Sequence, residues 1–145
     1  MDIILNKIES IKRCIKRILE EYDNKEDNLL NYTKQDSIVL NLQRACELSI
    51  DLSNCLVSKY SLGIPQSSRE SFEILSKHGI IDDLTSLRMK KMVGFRNIAV
   101  HEYQLINEKI LSSIINNNLS DFENFYIQLL EYVKRVNPSI SGETK

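Results

Sequence analysis

Six apolar side chains near the start of the chain, Ile4, Ile8, Ile11, Ile15, Ile18 and Tyr22, follow one another at alternating steps of four and three residues. That is the period of one face of an α-helix, whereas a strand repeats every second residue. The stripe predicts a helix from about Asp2 to Asp23 with charged outer faces. Such a helix is marginal in water until its stripe is covered, so the rest of the chain must supply the cover. It offers more of the same pattern. Asp23 to Asn31 is polar and reads as a connection, and Ile38, Leu42, Ala45, Leu48, Leu52, Cys55 and Leu56 mark a second long helix that ends near Tyr60.

The breakers divide the remainder. Ser61-Leu62-Gly63-Ile64-Pro65 is a loop, and Ser67 with Glu70 three residues on is a capping-box start for a short third helix. Gly79 is its expected stop, with Lys77 and His78 in its last turn complementing the helix dipole. A fourth helix runs from about Asp82 to His101. Asn107 opens a short helix through Ile115, Asn116 to Asn118 interrupt it, and Ser120 with Glu123 opens a last helix to about Val136. Asn137-Pro138 ends that helix, and the final residues read as a frayed tail. No strand period, repeat or low-complexity tract competes. The expected architecture is all-α, an up-and-down helical bundle of about five helices, with one domain over residues 1–137 and a flexible tail at 138–145.

Composition sets limits on function. A chain of 145 residues can bury a core of its own, and its net charge of -1 advertises no broad basic surface for nucleic acid. Met1 to Lys7 carries no uninterrupted apolar run and no later stretch approaches a membrane span, which fits a cytoplasmic protein. Cys14, Cys46 and Cys55 are odd in number, lack a C-x-x-C spacing and fall within apolar helical patterns, so they read as reduced core thiols.

The fourth helix carries the chemistry. At about 100° per residue, Leu84, Leu87, Phe95, Ile98 and Ala99 share one face, the expected seat on the core. Met89, Val93, Arg96, Val100 and Tyr103 gather on a second face, and a second apolar seam suggests a second copy of the chain as its cover. The same helix ends in Arg96-Asn97-Ile98-Ala99-Val100-His101-Glu102-Tyr103, an R-x4-H-x-Y arrangement. An arginine gives a permanent cation for a phosphate, and a histidine exchanges protons near neutral pH. Together they are the parts needed to cut RNA without a metal. His101 lies roughly 140° around a regular helix from Arg96, so the two meet only if the helix loosens or a second subunit contributes. Plainer roles exist for each: His101 as a dipole-complementing histidine, Arg96 as a surface cation, Tyr103 as an interface tyrosine with a wet hydroxyl, and Lys90-Lys91 as a solvated turn.

Gly63-Ile64-Pro65, Arg69-Glu70-Ser71-Phe72 and Lys90-Lys91-Met92-Val93-Gly94-Phe95 running into the motif resemble the HepT toxins, a branch of the HEPN-domain ribonucleases, over nearly the whole chain. The resemblance implies the HEPN fold, a homodimer with its two motifs facing across the interface, and metal-independent endoribonuclease activity on an RNA substrate. Arg96 and His101 would be catalytic and Asn97 supporting, with no metal or cofactor. It also implies an MNT-type nucleotidyltransferase antitoxin as partner, which in some members of the family transfers AMP onto the motif tyrosine, here Tyr103. A second class of function stays open, a non-catalytic helical subunit that presents substrate to such a nucleotidyltransferase. The intact trio favours the nuclease, because a pure adaptor has no physical need for it.

Overall fold

The first stripe finds its cover in the longest helix of the described residues. In the computed structural model, which describes residues 2–137, α1 (Asp2–Tyr22) lies along α2 (Tyr32–Lys59). The tail expected at 138–145 falls outside the described residues. The two helices run antiparallel. Lys7 near the start of α1 pairs with Asp51 near the end of α2 at 3.8 Å, and at the other end the Asn28 amide donates to the Tyr22 carbonyl at 2.8 Å. Asp23 and Asn24 turn the chain with φ of 50° and 53°, a left-handed conformation their short polar side chains tolerate better than most. A 3-10 turn, Glu26–Leu30, then buries Leu29, and Asn31 caps α2 by accepting from the Lys34 amide at 3.0 Å.

Four further helices, α3 (Ser68–Lys77), α4 (Asp83–His101), α5 (Glu108–Asn117) and α6 (Leu119–Val136), bring the total among the described residues to six, where about five were expected. No strand occurs among the described residues. α2 packs against α1, α3, α4 and α6 and so forms the axis of the bundle. Polar links fix the register of its neighbours. The Ser53 and Ser71 hydroxyls meet at 2.6 Å between α2 and α3, Lys90 of α4 pairs with Glu73 of α3 at 3.0 Å, and Arg88 of α4 pairs with Asp121 of α6 at 3.1 Å. Phe72 and Phe125, both fully buried, meet edge to face with centroids 5.4 Å apart. Truncating either ring to Ala would cost about 3–5 kcal/mol through lost burial and a residual cavity.

The local signals act largely as read. Ser67, Asp82 and Asn107 each accept from the amide three residues on, at 3.1, 2.7 and 3.0 Å. Gly79 adopts φ 70° and ends α3. Cys14 and Cys46 are buried, Cys55 is half-buried, and all three are free thiols. One start differs. α6 begins at Leu119, not at Ser120, because Leu119 packs into the core and Asn118 donates to the buried Asp121 carboxylate at 3.0 Å. No helix among the described residues is long and apolar enough to cross a membrane.

Candidate functional site

α4 is anchored at its start and open at its end. Asp82 caps it, and Gln128 of α6 braces the cap by accepting from the Asp82 amide at 2.8 Å and donating to the Thr85 hydroxyl at 3.0 Å. Along the helix, α2, α3 and α6 all pack against it, which gives it a wide buried arc. That arc corrects the assignment of its two apolar faces. Met89 and Val93 are 1% and 3% exposed and belong to the core, while Leu84 and Leu87 are 56% and 49% exposed and face outward. Phe95 and Ala99 are buried as expected. A seam of Met89 and Val93 for a second subunit is therefore ruled out, since the chain's own helices cover both. Lys90 is also no freely solvated lysine: its ammonium is tied to Glu73, whose carboxyl it holds below the usual range.

The backbone stays α-helical through Arg96, Asn97 and His101, so the helix does not loosen to bring arginine and histidine together. Arg96 and Asn97 are half-buried and His101 is exposed. Arg96 sits on the buried arc, close enough to α2 for its charge to oppose the burial that pushes the Cys46 thiol up to about 12. Its Nε is buried and has no partner among the described residues. A buried donor left unpaired costs on the order of 1–3 kcal/mol, and the Ser86 hydroxyl on the same helix is likewise buried without a partner among the described residues.

Past His101 the chain leaves the helix at Glu102, with φ -143°, and enters a 3-10 turn, Tyr103–Leu105. Tyr103 is 41% exposed, and its hydroxyl donates to the Asp36 carboxylate on α2. Partial burial of the ring, together with that carboxylate, pushes the tyrosine up to about 12. Asp36 is the residue sequence reasoning missed. Its partner lies 67 positions away, and the one local hint is that it falls between Tyr32 and Leu40 at steps of four, an acid within an otherwise apolar strip. Tyr32 and Leu40 are exposed, as are Val100 and Leu105 on the other side of Tyr103. Among the described residues no three His, Cys, Asp or Glu side chains gather where they could hold a metal ion.

The described residues therefore form an all-α bundle with Arg96, Asn97 and His101 in the last two turns of α4 and Tyr103 just past its end. The comparisons narrow the class. Residues 5–129 match the family model described as HepT-like ribonuclease, and the chain belongs to that family. It is 50% identical over 124 residues to the mRNA nuclease HepT of Shewanella oneidensis, covering 86% of this chain and 93% of that protein. A tri-AMPylated Shewanella oneidensis HEPN toxin, solved in complex with an MNT antitoxin, is similar in structure with a TM-score of 0.86 at 47% identity, over 90% of this chain and 98% of that one. The cytosolic protein YutE of Bacillus subtilis shares the fold alone, with a TM-score of 0.81 at 14% identity over 92% of this chain and 90% of its own.

Proposed function

We propose that this chain is the toxin of a toxin–antitoxin pair, a metal-independent endoribonuclease that works as a homodimer and is neutralised when an MNT-type nucleotidyltransferase attaches AMP to Tyr103. The observation that carries the nuclease reading is the placement of Arg96 and His101 at one end of a continuous helix, on faces roughly 140° apart. One chain does not close that pair into a site, and two chains related by a two-fold axis can. Exposed Val100 and Leu105, and exposed Tyr32 and Leu40 one turn either side of Asp36 on α2, supply apolar surface for a second copy.

In the proposed reaction the RNA 2′-hydroxyl attacks the adjacent phosphorus. His101 exchanges the protons of the attacking and leaving oxygens, and Arg96 holds the phosphoryl oxygens as charge builds on them. Asn97, half-buried one residue on, orients the phosphate. The products are a 2′,3′-cyclic phosphate and a 5′-hydroxyl, and no step needs a metal. Regulation through Tyr103 is supported by its exposure beside the motif and by the AMPylated relative. A nucleotide on that hydroxyl adds a bulky anion where RNA phosphate must bind. The test is RNA cleavage by the purified chain in excess chelator, with and without the partner and ATP. Cleavage that persists in chelator and is lost on modification supports the reading. A chain that binds the partner but never cuts RNA would favour the adaptor role.

A further inference from the structure

Asp36 and Tyr103 meet because α4 packs antiparallel on α2, the same packing that sets Arg96 near Cys46. Among the described residues Asp36 makes no other side-chain hydrogen bond. Asn31, not Asp36, caps α2, and none of the ion pairs among the described residues includes Asp36. Its carboxylate is exposed in a strip whose neighbours at steps of four, Tyr32 and Leu40, are apolar and exposed. An isolated acid there is poorly explained by stability, since exposed polar contacts contribute little. It does, however, receive the single proton of the hydroxyl that the proposed regulation must modify.

We propose that Asp36 is the general base for nucleotide transfer to Tyr103, an inference that rests on Tyr103 being the acceptor. In that step the Tyr103 oxygen attacks the α-phosphorus of an ATP held by the nucleotidyltransferase. The Oη–P bond forms, the bond from the α-phosphorus to the bridging oxygen breaks, and pyrophosphate leaves with the electron pair. The phenolic proton passes to the Asp36 carboxylate and from there to water. The contact already in place satisfies the geometric requirement for a base, hydrogen-bond reach of the proton it takes. A phenol is a weak nucleophile while protonated, and Tyr103 is held protonated well past neutral pH, so the proton must leave as the bond forms. Once the phosphodiester is made, no proton remains to bond Asp36, and two anions face each other. The modified side chain is expelled from α2, which favours product over return.

The experiment uses the full chain with its nucleotidyltransferase, ATP and magnesium, and follows AMP addition by intact mass and peptide mapping across a range of partner concentrations. The wild-type chain should gain AMP at Tyr103. If it does not, the regulatory reading itself fails, whatever Asp36 does. Given that gain, Asp36→Asn, which keeps a hydrogen-bond acceptor but cannot take a proton, should lower the maximal rate about 100-fold or more while leaving the half-saturating partner concentration unchanged. Asp36→Glu should recover a large part of the rate, which a loss of folding would not allow. An Asp36→Asn chain modified at the wild-type rate or faster overturns the proposal, as does a variant whose only defect is weaker engagement of the partner, or an Asp36→Glu chain as slow as Asp36→Asn.

Discussion

Two helix ends in this molecule carry a histidine, and they end differently. At the end of α3 the His78 ring bonds the Ile74 carbonyl at 2.9 Å, Gly79 turns left-handed at φ 70°, and the Gly79 and Ile80 amides return to the Ser76 and Leu75 carbonyls at 3.1 and 3.0 Å. Every group there closes the helix on itself, in the pattern of a Schellman stop. At the end of α4 there is no glycine. His101 is exposed, the chain leaves the helix at Glu102, and Val100, Tyr103 and Leu105 face outward. The Tyr103 hydroxyl is held from another helix. An end that spends its polar groups on the backbone is structural, and one that leaves them available can act on a partner or substrate.

The sharpest way to break this contrast is to remove each histidine in turn. His101→Ala, and likewise Arg96→Ala, should lower RNA cleavage by about 10³-fold or more with little change in melting temperature, because the proposed reaction has both acting on the transition state. His78→Ala should leave cleavage intact. Equal losses for the two histidines, measured on a labelled RNA, would erase the distinction. Next in size, Gly79→Ala should destabilise the fold by about 1–2 kcal/mol in denaturant titration without changing kcat. The added Cβ meets nothing within 4 Å, so the cost is the left-handed backbone alone.

The smallest effect concerns Tyr103. Its ionisation, followed by the ultraviolet phenolate band as wild type minus Tyr103→Phe, should appear near 12, above the ordinary value of about 10. Asp36→Asn should bring it down. Because the folded value is raised, the contact's stabilisation is fully present below the ordinary tyrosine value and is lost as pH climbs through about 12. Wild type and Tyr103→Phe should therefore differ by a constant amount across neutral pH. A tyrosine titrating at its ordinary value would mean that neither the burial of its ring nor the tie to Asp36 persists in solution, and an unchanged value in Asp36→Asn would remove the tie alone.

Much of the fold was legible because its signals are local. The isoleucine stripe of α1, the caps at Ser67 and Asn107 and the stop at Gly79 each depend on residues within one turn of chain. The R-x4-H-x-Y spacing is local in the same way. What failed depends on distant packing. An angular count finds two apolar faces on α4 but cannot say how far α2, α3 and α6 will cover each, and the first half of the helix was assigned wrongly: Met89 and Val93 are core and Leu84 and Leu87 surface, while Phe95 and Ala99 are buried and Val100 and Tyr103 exposed as read. The start of α6 was set by burial of Leu119 and Asp121, and not by the serine that local pattern favours. Asp36 carried no signal of its own, since its role appears only when α2 and α4 are side by side.

The central claim is that neither chain closes Arg96 and His101 into a site by itself, and that two copies do. It is tested most directly by a heterodimer of Arg96→Ala and His101→Ala chains, purified through two different tags and assayed on RNA against each inactive homodimer. One of its two composite sites would be whole and the other would lack both groups, so the account predicts about half of the wild-type activity per dimer. A heterodimer as inactive as its parents would contradict it, and would place the arginine and histidine that act together within a single chain.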